Sequence, residues 1–315
     1  MGSKIQTDQG DGIFTIDTGF MRKNMVASHL IISNGRVAFV DVGVSSCAHV
    51  LLDALAEHKL SPKKVDYIMV THVHLDHAGA AGLMMSVCPN AKLVVHPHGA
   101  RHMIDPAKLI AGAIAVYGEA DFASLFGEVR PVAADRVIEV YEGDVLEWRG
   151  REWQFFDTPG HARHHYCMLD SVSNGLFAGD TFGLSYPELE TENGPFVFPT
   201  TTPVQFDPKV LADTVTRLAE LESDKLFLTH FGCIEMNAAV INALLRRIQH
   251  FVDVAQAHFK HPNRVSEMTT ALEDYCYSEL TQHGCKSDRT RVEKLMALDC
   301  LLNAQGLDCW LEQTA

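Results

Sequence analysis

Thr71-His-Val-His-Leu-Asp-His77 decides how this chain is read. Three imidazoles and one carboxylate, at His72, His74, Asp76 and His77, fall within six residues. Imidazole and carboxylate are common zinc ligands and also suit iron. His72 and His74 alternate, so in extended backbone they point to the same side. Asp76 and His77 begin a helix, which aims them at a neighbouring point, so one short loop can feed two metal ions. The flanks agree with this. Residues 65–70 form a compact apolar strand, and residues 78–87 read as a helix opening on Ala78, Gly79, Ala80, Ala81 and Gly82. The lack of bulk there lets backbone approach backbone behind the loop.

Upstream, residues 12–17, 29–33 and 36–40 read as strands. Asn34-Gly35 between the last two is a hairpin signal of the primed turn type. Asp41 ends the third strand, and a helix is expected over 47–57. Downstream, residues 92–96 are a strand. Residues 99–130 then turn helical, broken by Pro106, Gly112, Gly118 and Gly127, and are read as an insertion lying over the site. Strands follow at 136–140, 145–148, 153–157, 166–170 and 176–178. Residues 182–208 carry five prolines and are expected to be an active-site loop. A helix over 209–221 leads to a strand at 225–228. From Ile234 onward helical periodicity takes over, at about 235–259, 265–283 and 288–306. The expected organisation is therefore a catalytic domain over 1–232 and a helical C-terminal region over 233–315.

Bulk properties narrow the function. A net charge of −14 on 315 residues repels phosphate backbones, so no nucleic-acid partner is expected. The eight cysteines are scattered with no CxxC pair and read as reduced thiols of a cytoplasmic protein. The first ten residues hold no apolar core of a signal peptide, and no run is long enough to span a bilayer. The partner expected is a small-molecule substrate, with homodimerisation through the C-terminal helices as a further possibility. Histidine stands out. Of 17, seven (His72, His74, His77, His161, His164, His165 and His230) fall in three tight places.

Four apolar strand ends carry metal-type residues. Val70 leads to His72, Phe156 to His161, Ala178 to Asp180, and Leu228 to His230. A rigid sheet edge that gathers residues from distant sequence produces this repeated pattern. Thr71-His-x-His-x-Asp-His77, then Gly160-His161, Gly179-Asp180 and a late His230 resemble, in that order, the metallo-β-lactamase-fold superfamily. The resemblance covers about residues 12–232, with a motif pattern nearest the glyoxalase II-like and lactonase branch. It implies an α/β fold, an αββα sandwich of two mixed sheets, here with the C-terminal helices appended. It further implies that His72, His74 and His161 hold one ion, that Asp76, His77 and His230 hold another, and that Asp180 bridges them. The cofactor expected is a pair of divalent ions, zinc first, with iron or manganese as alternatives.

The activity this implies is hydrolysis of an ester, thioester or lactone by a metal-bridging hydroxide, with Asp76 as the catalytic residue that orients the nucleophile. Asp180 and the absent signal peptide count against an exported β-lactamase, and His74 counts against flavodiiron relatives. An iron oxidoreductase acting on oxygen, nitric oxide or a persulfide is the rival enzyme, and a metal-containing sensor or effector is the rival outside catalysis. Asp41 and His165 are candidates to support the ligands. Phe182, Tyr186 and Phe198 are candidates to wall the substrate pocket. Two departures from the family pattern stand out. His164 occupies a position where glyoxalases have glycine. Gly183 stands where lactonases often carry a tyrosine, which leaves Tyr186 as the nearest phenol.

Overall fold

The computed structural model describes residues 6–201 and 204–315; Thr202 and Pro203 of the expected loop and the first five residues lie outside the described residues. Two compact units emerge. The first holds the described residues up to Asp157 together with His164–Gly179 and Ser223–Glu235. The second holds Thr158–Arg163, Asp180–Glu222 and Met236–Ala315. The units are thus discontinuous in sequence.

Both sheets lie in the first unit. One runs β1 (Gln6–Asp8), β2 (Ile13–Asp17), β3 (Ala27–Ser33), β4 (Arg36–Val40), β5 (Val65–Met69), β6 (Lys92–Val95) and β7 (Val137–Glu139), in that spatial order. It is antiparallel through β4 and parallel from β4 to β7. The other runs β8 (Val145–Trp148), β9 (Arg151–Asp157), β10 (Tyr166–Asp170), β11 (Gly175–Gly179), β12 (Lys225–Leu228) and β13 (Gly232–Glu235), neighbour to neighbour. Only its β11–β12 pair is parallel. The hairpin between β3 and β4 forms as expected. Asn34 and Gly35 sit at φ 48° and 69°, which the primed turn requires.

Strand β4 shows how the layers arise. Ala38 and Val40 enter the core between the sheets with Met69, Val94, Trp153, Phe155, Tyr166 and Phe177. Val37 and Phe39 point the other way, into a core shared with helices α1 (Ala48–Glu57) and α3 (Ala81–Val87). The period of two sorts one strand between two buried layers. The turn α2 (Leu75–Ala78) precedes α3 and contains Asp76 and His77. The insertion forms three helices, α4 (Pro97–Ile104), α5 (Ala107–Tyr117) and α6 (Glu119–Leu125).

The second unit carries α7 (Pro208–Ala219), α8 (Ala238–His258), α9 (Arg264–Gln282) and α10 (Arg289–Thr314). No described helix is long and apolar enough to cross a membrane.

Two expectations need correction. Ile234 and Glu235 belong to β13, which pairs antiparallel with β12, and α8 starts only at Ala238, where the Asn237 side chain accepts from Val240 N at 3.0 Å. Four residues are too few to show a strand period beside a strong helix. The last helix runs past Gly306 to Thr314, because Gly306, Leu307 and Leu311 are buried in its packing and outweigh the modest helix penalty of glycine.

Candidate metal centre

The β5 strand ends at Met69 and delivers Thr71 and His72 to the sheet edge. His72 and His77 are fully buried, and their rings lie 4.0 Å apart. His72 Nε2 and His74 Nδ1 are 2.9 Å apart, the spacing of two nitrogens that share a proton or a cation. Asp76, His77 and His230 form a second group in the same unit, each offering one ligand atom within 4.8 Å of the others. Asp76 Oδ2 lies 3.1 Å from His230 Nε2 and 3.7 Å from His77 Nε2.

The imidazoles are set for this geometry by what their other nitrogens meet. His230 Nδ1 faces the Met25 carbonyl at 2.9 Å. A carbonyl only accepts, so Nδ1 carries the proton and Nε2 presents its lone pair. His77 Nδ1 meets Asp41 Oδ2 at 2.8 Å, with the same consequence. Thr71 Oγ1 also donates to Asp41 Oδ2 at 2.8 Å, so its lone pair accepts from His72 Nδ1 at 3.2 Å. Thr229 Oγ1 donates to that same oxygen at 2.6 Å, and Thr71 N donates to Oδ1 at 2.8 Å. One fully buried carboxylate therefore orders two histidines and two threonines from two strand ends.

His165 is fully buried and stacks on His72 at 5.0 Å. His164 is buried as well, with its ring 5.5 Å from that of His74 and its Nδ1 accepting from Val73 N at 3.5 Å.

The remaining two candidates lie together in the second unit. His161 Nε2 is 3.4 Å from Asp180 Oδ2. His161 Nδ1 faces the Thr200 carbonyl at 3.3 Å, which again leaves Nε2 with the lone pair. Asp180 is bonded directly to Gly179, the last residue of β11, and His161 follows the end of β9 by four residues.

Phe182, Tyr186 and Phe198 are all buried at 1% exposure or less. The Tyr186 hydroxyl donates to Asp299 Oδ1 at 3.1 Å, and its ring lies 5.8 Å from Phe198. Gly183 has a steric reason to replace tyrosine. Its φ is +74°, and a Cβ would stand 2.2 Å from the Phe198 carbonyl oxygen.

The residues missed from sequence are mostly supports: Thr71, Thr229 and the Met25 carbonyl. A signal for the threonines was present, since Thr-His occurs at the ends of both β5 and β12. Nothing local marks Met25.

A family model described as the metallo-beta-lactamase superfamily matches residues 9–230. The chain belongs to the metallo-beta-lactamase superfamily. A metallo-beta-lactamase fold-containing protein of Sulfurisphaera tokodaii, ST1585, is 29% identical over 228 residues, which cover 71% of this chain and 79% of that protein. The solved structure of ST1585 superposes with a TM-score of 0.65 over 95% of this chain and 98% of its own, at 24% identity, so the fold extends to the C-terminal helices. The hydroxyacylglutathione hydrolase of Salmonella paratyphi A is 28% identical over 147 residues, 47% of this chain and 43% of that enzyme. The atrochrysone carboxyl ACP thioesterase of Aspergillus fumigatus is 24% identical over 173 residues, 55% of this chain and 40% of that enzyme. The chain thus spans under half the length of these two enzymes.

Proposed function

We propose that this superfamily member is a dinuclear metal-dependent hydrolase that opens an ester, thioester or lactone, with a thioester favoured. The observation that carries the reading is the Asp76–His77–His230 group, in which each imidazole is held with its Nε2 lone pair turned to the carboxylate. Nitrogen and oxygen donors of this kind suit zinc, and equally manganese or iron. His72, His74 and His161 would hold one ion, and Asp76, His77 and His230 the other. Asp180 would serve both, its negative charge offsetting cation repulsion. When bound, two divalent cations lower the pKa of a water toward neutrality and polarise the scissile carbonyl.

The chain's own groups do the rest. Asp76 has one oxygen beside His230 and retains solvent access at 28% exposure, so it can take a proton from the attacking water and hand it to the departing thiol or alcohol. Asp41 keeps His77 in the tautomer that ligates, and Thr71 extends the same control to His72. The two thioester-cleaving relatives support the thioester preference.

Metal analysis combined with an acyl-thioester and lactone panel tests the proposal. Two ions per wild-type chain, one per Asp180→Ala chain, and hydrolysis lost with chelation and regained with zinc or manganese are expected. A single ion per fully loaded chain, or oxygen uptake with a visible iron spectrum and no hydrolysis, refutes it.

A further inference from the structure

Helix α5 has an unusual composition. Of its eleven residues, Ala-Lys-Leu-Ile-Ala-Gly-Ala-Ile-Ala-Val-Tyr, only Lys108 is charged, and none is fully buried. A helix this apolar is ordinarily buried all round, so apolar surface left half open calls for a ligand. Leu109 packs against the core shared with α1 and α3. Ile110, Ile114 and Tyr117, spaced i, i+4, i+7, form a second, adjacent stripe that is only half-buried.

The insertion is anchored to the metal loop. The Ser45 hydroxyl reaches both the Glu128 carbonyl and the carbonyl of Gly79, just after α2. A Cβ on Gly82 would stand 2.0 Å from the Arg130 carbonyl oxygen, so glycine there lets the end of the insertion lie directly on α3. Tyr117 ends the stripe. Its ring lies 5.2 Å from Phe126, and Phe126 lies 6.0 Å from Phe20, which begins the loop whose Met25 carbonyl holds His230. Burial, with a contribution from the Asp76 carboxylate, raises the phenol's pKa.

We propose that the Ile110–Ile114–Tyr117 stripe is the subsite for the acyl portion of the substrate, and that this portion is an unbranched apolar chain rather than a small polar acyl group. From Tyr117 to Ile110 the helix rises about 10 Å, roughly the length of an extended eight-carbon chain. The proposal deepens the hydrolase reading and rests on it for the acyl group.

Two readouts separate the failure of one from the failure of the other. Calorimetry of acetate, butyrate, hexanoate and octanoate on the metal-loaded protein reads the stripe without turnover. Rates on the matching acyl-N-acetylcysteamine thioesters read turnover. Affinity and kcat/KM are expected to rise about threefold to fourfold per added methylene. Ile114→Asp should cut the octanoyl-to-acetyl ratio at least tenfold in both measurements, and Ile114→Ala should cut it less. Ala115→Asp, on the exposed far side of the same helix, should leave the ratio alone. Circular dichroism confirms folding; should Ile114→Asp not fold, Ile114→Ala and Ile110→Ala carry the test.

Chain-length-dependent binding with no cleavage of the thioesters or of the matching esters and lactones supports the stripe and refutes the hydrolase reading. Flat binding and flat rates across the series, or a ratio that Ile114 variants do not change, overturn the stripe.

Discussion

Replacing Asp41 by asparagine should weaken metal binding without touching a ligand. Asp41 Oδ2 receives three donors: Thr71 Oγ1 at 2.8 Å, Thr229 Oγ1 at 2.6 Å and His77 Nδ1 at 2.8 Å. In Asp41→Asn, Oδ1 can keep the Thr71 N–H, and an amide NH2 then stands where Oδ2 was. Both hydroxyls can rotate and accept. His77 cannot do so while Nδ1 holds its proton; it must move the proton to Nε2, which removes the lone pair a metal needs, or face the amide donor to donor. Hydrogen bonds to a charged group are worth about 1.5–3 kcal/mol each. One lost and two weakened give about 2–4 kcal/mol of destabilisation in the metal-free protein, read by urea unfolding. Loss of a partner that orients a metal ligand typically costs about 10–100-fold in metal affinity. Chelator-competition titration should show that loss for the ion on His77, and nitrogen NMR of the His77 ring should show the tautomer change. Thr229→Val is the control. It removes one donor to the same oxygen and should cost about 1 kcal/mol with metal affinity near wild type. If Asp41→Asn binds two ions as tightly as wild type while losing stability as Thr229→Val does, Asp41 is a structural tie and the tautomer argument fails.

Asp76→Asn removes the proton carrier while retaining an oxygen donor, so kcat on a thioester should fall about 10²–10⁴-fold, checked by steady-state kinetics. His29, fully buried and edge-on to the stacked rings of Phe177 and Phe227, has its pKa lowered from 6.5 to about 4 by burial. Between those values the unfolded chain binds the extra proton, so His29's contribution is complete above pH 6.5 and about 3 kcal/mol is lost as pH falls toward 4. Urea melts of His29→Gln should give a flatter stability curve over that window than wild type. Gly183→Ala, strained at positive φ and pressed on the Phe198 carbonyl, should destabilise by about 3 kcal/mol in denaturant unfolding; a neutral result would mean that the backbone of Phe198, which exchanges two hydrogen bonds with Leu184, moves aside freely.

Much of the architecture is legible because its signals are local. Alternation in β4, Asn34-Gly35 and the apolar strand before His72 each depend on a few adjacent residues, and all appear at their expected places. Asp41 was readable as a strand-ending acid and a candidate to support the ligands, but not as the hub of a particular set of donors. Its partners Thr71 and Thr229 stand 30 and 188 residues away, and no local pattern encodes that meeting. Tyr186 looked like a phenol available to a substrate, whereas it is buried on Asp299 of α10, 113 residues on. Tyr117, lost among alanines in a helix broken by glycine, packs its ring 5.2 Å from that of Phe126.

By itself the sequence determined the donor inventory and its strand-end placement, since ligand chemistry belongs to single side chains and strand period to neighbours. Only the tertiary structure decided which nitrogen of each imidazole carries a lone pair, which acid orders the others, and which aromatic rings pack away inside the second unit. Those outcomes depend on hydrogen-bond partners and burial supplied by distant segments, and neither exists until the sheets close.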